Sequence, residues 1–178
     1  MIISNLLLIA GTGNKSGKTT LACKAIKQFR ELGIVGIKIT PHFHETTPGL
    51  VLLSEKPGYS IYEETNPELP KDSSRMLKAG ASKVFFAKVT DESLLAAFKE
   101  ILKHIPAGNP IVCESPALRF YTDPGLFIIM KSKYSNNKNI NELLGLPHVM
   151  FHLNDIIRAK ALPIEFKDGK WFSAEKIL

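Results

Sequence analysis

The segment Thr12-Gly13-Asn14-Lys15-Ser16-Gly17-Lys18-Thr19 has the residue types and spacing to hold a chain of phosphates. Gly13 and Gly17 let backbone N–H groups turn inward toward an anion. Lys18 has the reach to set an ammonium on the β- and γ-phosphates of a triphosphate, and the Thr19 hydroxyl is a hard oxygen ligand for Mg²⁺. Asn14, Lys15, Ser16 and Thr20 complete the set expected around such a ligand. Against the pattern G-x-x-x-x-G-K-[ST], position 12 holds Thr where Gly is wanted, and Gly stands one step earlier, at Gly11. A chance Gly-rich turn would share the composition. Here, however, the Gly-Lys-Thr core falls between the apolar run Leu6-Leu7-Leu8-Ile9-Ala10 and a helical stretch from Thr20. Strand, loop and helix together make a phosphate-binding P-loop, with the helix N-terminus adding partial positive charge.

Other chemistry-bearing residues fall where strands should end. Lys38 lies in or at the end of an apolar strand, where it either snorkels to the sheet edge or reaches the phosphates or an anionic second substrate. Glu114 follows Ile111-Val112-Cys113. There it can hold Mg²⁺, directly or through water, or position an attacking group, and the alternative is a carboxylate that caps the turn at Ser115-Pro116. Asp72 and Arg75 open a helix, as an N-cap and i,i+3 ion pair on a solvated face or as groups facing an anion or metal. His42 and His44 form an H-x-H pair that suits either a metal or solvent. Asn136, Asn137 and Lys138 fit a base-reading loop or a plain surface loop. The candidate catalytic residues are thus Lys18 and Glu114, the metal ligands Thr19 and Glu114, and the second-site residues Lys38, Asp72 and Arg75.

The elements that must position these residues alternate between strand and helix. A helix is expected over 17–31 with Gly33 as its left-handed C-cap, then a buried strand over 34–39. The stretch 41–70 holds Pro41, Pro48, Gly49, Pro57, Gly58, Pro67 and Pro70. It reads as a long irregular excursion, and such loops are usually functional or disordered. A short helix over 72–78, a strand over 84–89 and a helix from Asp91 to before Pro106 come next. Strands are expected at 110–114, 126–130 and 148–153, with a polar loop at 131–139. Asp168-Gly169 marks a hairpin turn within 164–172. The pattern predicts an α/β, three-layer P-loop NTPase fold with a mainly parallel sheet, in one domain over residues 1–178. Its ligand site belongs at the carboxyl ends of the strands.

The whole-chain properties agree with this reading. At 178 residues with 44% hydrophobic content, the chain can bury a sizeable core. It has no apolar run of the roughly 18 residues that a membrane span needs. The apolar N-terminus lacks a basic lead and runs straight into the P-loop, so it is read as a strand and not as a signal peptide. The net charge of +6 suits an anionic ligand, but the basic residues are dispersed, which argues against nucleic acid. Cys23 and Cys113 have no partner spacing for zinc and read as free thiols in a reducing, cytoplasmic setting.

Three segments carry a resemblance to the MobB family (molybdopterin-guanine dinucleotide biosynthesis protein B). They are the loop over residues 14–21, Gly36-Ile37-Lys38 followed by His42 and His44, and Lys71-Asp72-Ser73-x-Arg75 followed by Ala79-Gly80-Ala81. Glu114 matches that family's strand-end Glu, and together these span roughly residues 1–115. The resemblance implies GTP binding with weak hydrolysis, Mg²⁺, a homodimer, and an accessory role beside the guanylyltransferase of molybdenum cofactor biosynthesis. It also implies site roles for Asp72 and Arg75. The chain departs from the family at Thr12, at Ser115-Pro116 where Gly is expected, and in the Pro-rich 41–70 stretch. The Gly11-Thr12 spelling is also similar to dethiobiotin synthetase and the cobyrinate amidase group, ATP-using enzymes that phosphorylate a carboxylate or carbamate. That leaves an ATP-dependent small-molecule kinase or ligase as the second expectation.

Overall fold

Leu6 to Ala10 have no solvent exposure. A strand can bury both faces only in a sheet covered on both sides, which is why it reads as an unbroken apolar run. The computed structural model, which describes residues 1–13, 15–43, 45–132 and 140–174, places that run inside an eight-stranded sheet. The strands are β1 (Ile2–Gly11), β2 (Val35–Thr40), β3 (Leu50–Lys56), β4 (Tyr59–Glu64), β5 (Lys83–Val89), β6 (Ile111–Glu114), β7 (Asp123–Lys131) and β8 (Val149–His152). Their order is β3-β4-β5-β2-β6-β1-β7-β8. The six from β5 to β8 in that order are mutually parallel, and β4 runs antiparallel to both β5 and β3. The protein is therefore α/β with a mainly parallel sheet.

The helices are α1 (Lys18–Gln28), α2 (Asp72–Lys78), α3 (Leu94–Leu102), α4 (Asn141–Leu144) and α5 (Leu153–Arg158). Two apolar cores lie on opposite faces of the sheet. On one face Leu21, Ala22, Ala25 and Ile26 of α1 pack with Leu7 and Ile9 of β1, Met76 of α2 and Ile156 of α5. On the other face α3 packs with Leu6, Leu8 and Ile37, presenting Leu94, Ala97, Phe98 and Ile101 at the i, i+3, i+4, i+7 spacing of one helical stripe. A hairpin of β9 (Ile164–Lys167) and β10 (Lys170–Ser173) closes the first face. It turns at Asp168 (φ 50°) and Gly169 (φ 73°), as its sequence predicts. Its buried Trp171 donates from Nε1 to the Asn5 carbonyl at 3.0 Å and packs edge-on against Phe29.

The expected irregular excursion over 41–70 holds a regular hairpin. Residues 50–56 and 59–64 form β3 and β4, which add two strands to the sheet beside β5. Pro57-Gly58 makes the turn between them, with Gly58 at φ 86°, the Pro-Gly pairing that a type II turn prefers. All the prolines and glycines that suggested disorder fall outside the two strands, so they punctuate a hairpin and do not dissolve one. The short helices α4 and α5 answer to no expected element; elsewhere the differences concern element ends. The first helix stops at Gln28 and continues as a 3₁₀ turn over Arg30–Leu32 before Gly33, at φ 67°. β1 starts at Ile2, and β7 extends beyond 126–130 at both ends. No helix among the described residues is long and apolar enough to cross a membrane.

Candidate functional site

The backbone sets the site first. After β1 the chain turns toward the face that carries α1, and after β6 it turns toward the opposite face, where Leu118 is buried. β1 and β6 are neighbours, so their outgoing loops diverge and open a crevice at the carboxyl ends of the strands. The crevice is a cleft of about 610 Å³. Its walls include Gly13, Lys15, Ser16, Gly17, Lys18, Thr19 and Thr20 from the loop and α1, together with Lys38, Asp72, Arg75 and Glu114. Every described residue of the sequence-based candidate set thus faces one cavity. Asn14, His44, Asn136, Asn137 and Lys138 lie outside the described residues.

The loop wraps tightly against the end of β1. Gly17, at φ 93°, is the N-cap of α1, and Lys15 also has a positive φ of 55°. A side chain at Gly11 would put its Cβ 2.1 Å from the Ser16 hydroxyl oxygen and 3.0 Å from Lys18 Cγ. The close approach that needs glycine therefore falls at Gly11, one step before the position the motif marks. Thr12 plays a part of its own, since its N–H donates to the Met130 carbonyl at 3.0 Å and its hydroxyl accepts from the Ser132 N–H at 2.8 Å. The side chain ties the start of the loop to the end of β7, which a glycine there cannot do. Lys18 folds over the loop, with Nζ 3.2 Å from the Gly13 carbonyl and 3.3 Å from the Ser16 hydroxyl.

Beside the loop lies a charged cluster drawn from four elements. Glu114, at the end of β6, is 2% exposed. Its Oε2 accepts from the Thr19 hydroxyl at 2.9 Å, and its Oε1 lies 2.6 Å from Lys38 Nζ. Lys38 and Glu114 are register partners on adjacent strands, which brings the two side chains together. The same Lys38 ammonium lies 2.8 Å from Asp72 Oδ2, and Arg75 sits 3.8 Å from Asp72 on its other side. Burial works against the Lys38 charge, but Glu114 and Asp72 outweigh it and hold the pKa above its ordinary value. Burial likewise works against ionised Asp72, and Lys38, Thr19 and Arg75 outweigh it and pull the carboxyl below its usual range. Both groups are therefore charged at neutral pH. Lys38 does not snorkel; it is paired within the site.

The oxygens of Thr19, Asp72 and Glu114 are hard donors, the kind Mg²⁺ takes. Among the described residues, no group of three or more His, Cys, Asp or Glu could hold a metal by itself. Three oxygens fall short of an octahedral shell, so water or another ligand would have to complete it. His42 lines the cleft, and its backbone N–H donates to the Thr40 hydroxyl at 3.2 Å. The cysteines stand apart from this chemistry. Burial raises the Cys23 thiol to about 11 and pushes that of fully buried Cys113 higher still, so both are protonated at neutral pH.

Sequence reasoning passed over Glu64, the residue that aims α2. Its side chain is fully buried at the end of β4. It lies 2.7 Å from Lys71 Nζ, accepts from the Ser73 hydroxyl at 2.7 Å and from the Asn66 N–H at 3.0 Å. Lys71 and Ser73 flank Asp72, so the Lys71-Asp72-Ser73 run clamps α2 to the hairpin with its outer members while its middle member meets Lys38. Burial alone would raise the Glu64 pKa, but the bonds from Lys71, Ser73 and Asn66 bring it below the ordinary 4.5. A folded-state value below the unfolded one means the clamp stabilises fully above that unfolded value and fades as pH falls through the folded one. Glu64→Ala is expected to cost about 2 kcal/mol, because it leaves the buried Ser73 hydroxyl and the Asn66 N–H without their acceptor. Urea unfolding should show that loss at pH 7, and the loss should shrink as pH falls through the folded-state pKa of Glu64.

Comparison of the chain with models of known protein families, with curated proteins and with solved structures gives no match. A functional reading therefore rests on the chemistry of the site itself.

Proposed function

We propose that the protein is a P-loop nucleoside triphosphatase of three-layer fold that binds a Mg²⁺–triphosphate in this cleft and hydrolyses it slowly. The observation that carries the reading is the convergence of Lys18 and Thr19 with Lys38, Asp72 and Glu114, from separate elements, on one cleft at the strand ends. Phosphoryl transfer needs charge neutralisation and alignment more than covalent chemistry. Lys18 supplies the cation for the β- and γ-phosphates, and the loop N–H groups and the α1 N-terminus supply fixed partial charge. Thr19, Asp72 and Glu114 would hold Mg²⁺, which when bound neutralises charge developing between the phosphates. Glu114, buried and already oriented by Thr19 and Lys38, is the group best placed to align an attacking water. With the MobB resemblance, the preferred ligand is GTP and the role accessory: a homodimer acting beside the guanylyltransferase that completes the molybdenum cofactor.

One observation favours the second reading, an ATP-dependent kinase or ligase acting on a carboxylate or carbamate. The cleft runs past the loop to Thr40, Pro41, Val89, Asp91, Leu94, Pro116 and Ala117, and Arg75 also lines it. That extension offers an apolar wall and a cation to a second, acidic substrate. Turnover of GTP and of ATP, each with and without a panel of small carboxylic acids, separates the two. A GTP preference with acid-independent slow turnover supports the accessory role. An ATP preference with acid-stimulated turnover removes it.

A further inference from the structure

Lys38 occupies a place that a divalent cation also needs. Its ammonium contacts Glu114 at 2.6 Å and Asp72 at 2.8 Å, while the other Glu114 oxygen takes the Thr19 proton. The oxygens assigned above to Mg²⁺ are thus already compensated by a cation built into the chain. That cation has little room to stand aside. Lys38 is 18% exposed and sits in an interior strand between β5 and β6, with Phe86 and Glu114 as its register partners. A doubly charged ion brought to the Thr19–Glu114 pair would lie close to this ammonium in a poorly solvated crevice, where like charges repel strongly. Two carboxylates against the Lys38 ammonium and the Arg75 guanidinium leave too little negative charge to hold a divalent ion as well. A triphosphate changes the balance, because its own negative charge compensates the ion.

We infer that Lys38 is a resident cation that keeps divalent metal out of the nucleotide-free site and gives up a carboxylate only when metal and triphosphate arrive together. This makes metal and nucleotide binding strongly coupled and loads the site with the pair as a unit. It also holds Glu114 and Asp72 in register before the ligand comes, so that neither buried carboxylate is left uncompensated. The inference rests on the assignment of Thr19, Asp72 and Glu114 to the metal in the proposed function.

Mn²⁺, followed by its electron spin resonance signal, is the probe, and no turnover is required. In nucleotide-free protein, Lys38→Met and Lys38→Gln are each expected to bind Mn²⁺ at least about tenfold more tightly than wild type. Adding Glu114→Gln to the Lys38→Gln variant should erase the gain. Lys38→Gln keeps a hydrogen-bond donor between the carboxylates, and circular dichroism establishes that each variant is folded. Should neither variant fold, nucleotide-free wild type alone decides: it must show no saturable Mn²⁺ site in the concentration range where it takes up Mn²⁺ with GTP. Unchanged Mn²⁺ affinity in folded Lys38 variants, or equally tight Mn²⁺ binding by wild type with and without GTP, overturns the inference. Failure of wild type to bind GTP or ATP overturns the proposed function instead, so the two failures are told apart.

Discussion

Lys18→Ala should lose about 3 kcal/mol of triphosphate affinity, roughly a hundredfold, while the protein stays folded. The loss is large because Lys18 is the loop side chain placed to set a full charge on the β- and γ-phosphates, and a charge-assisted bond to phosphate is among the stronger polar contacts. The fold should survive for reasons visible at the residue. Its contacts to described loop residues, 3.2 Å to Gly13 and 3.3 Å to Ser16, are long, and position 18 opens α1, where alanine is a good helix former. Calorimetric titration with GTP and with ATP, beside a thermal melt, measures both quantities. An unchanged affinity would show that the loop does not hold phosphate. A collapse of the melt would show that Lys18 acts in folding.

Glu114→Gln should separate turnover from binding. The amide keeps the shape of the side chain and one oxygen for Thr19, so nucleotide affinity is expected to fall by less than about fivefold. Removing the negative charge weakens the grip on Mg²⁺ and the alignment of water, and Mg²⁺-dependent turnover is expected to fall about a hundredfold. Single-turnover hydrolysis compared with the dissociation constant gives the split. Equal loss of both would mark Glu114 as a structural partner of Lys38 and nothing more. Asp72, 2.8 Å from the Lys38 ammonium before the substitution, is untouched by it, so that charge is not stranded.

The range of each interaction decides how far the sequence made it readable. The turn from β1 into α1 was legible because it is local: Gly17 at positive φ between an apolar strand and a helix acts through a few consecutive residues. The buried parallel strands were legible because burial on both faces leaves an apolar run, as in β1 and β6. The β3–β4 hairpin was hidden by its own punctuation. Pro57-Gly58 is a turn signal, and Tyr59-Ser60-Ile61-Tyr62 is compatible with a strand, but the count of prolines around them outweighed both. Glu64 was hidden for a different reason. Its meaning depends on a fold that brings the end of β4 to the start of α2, and no local pattern announces that contact. The Lys71-Asp72-Ser73 run was legible as a helix start, and the resemblance added only a site role for Asp72. The structure supplies its physical sense: two residues clamp the helix and the one between them faces Lys38. Thr12 shows the reverse case, a mismatch to a motif that becomes a tie between the loop and β7 once the close approach at Gly11 is seen.

The central claim is that this cleft takes a Mg²⁺–nucleoside triphosphate, and direct titration tests it. Wild-type protein titrated calorimetrically with GTP and with ATP in Mg²⁺ should show saturable binding of one triphosphate per chain, weakened when the metal is chelated. No binding of either nucleotide, with the protein folded and Mg²⁺ present, would contradict the account.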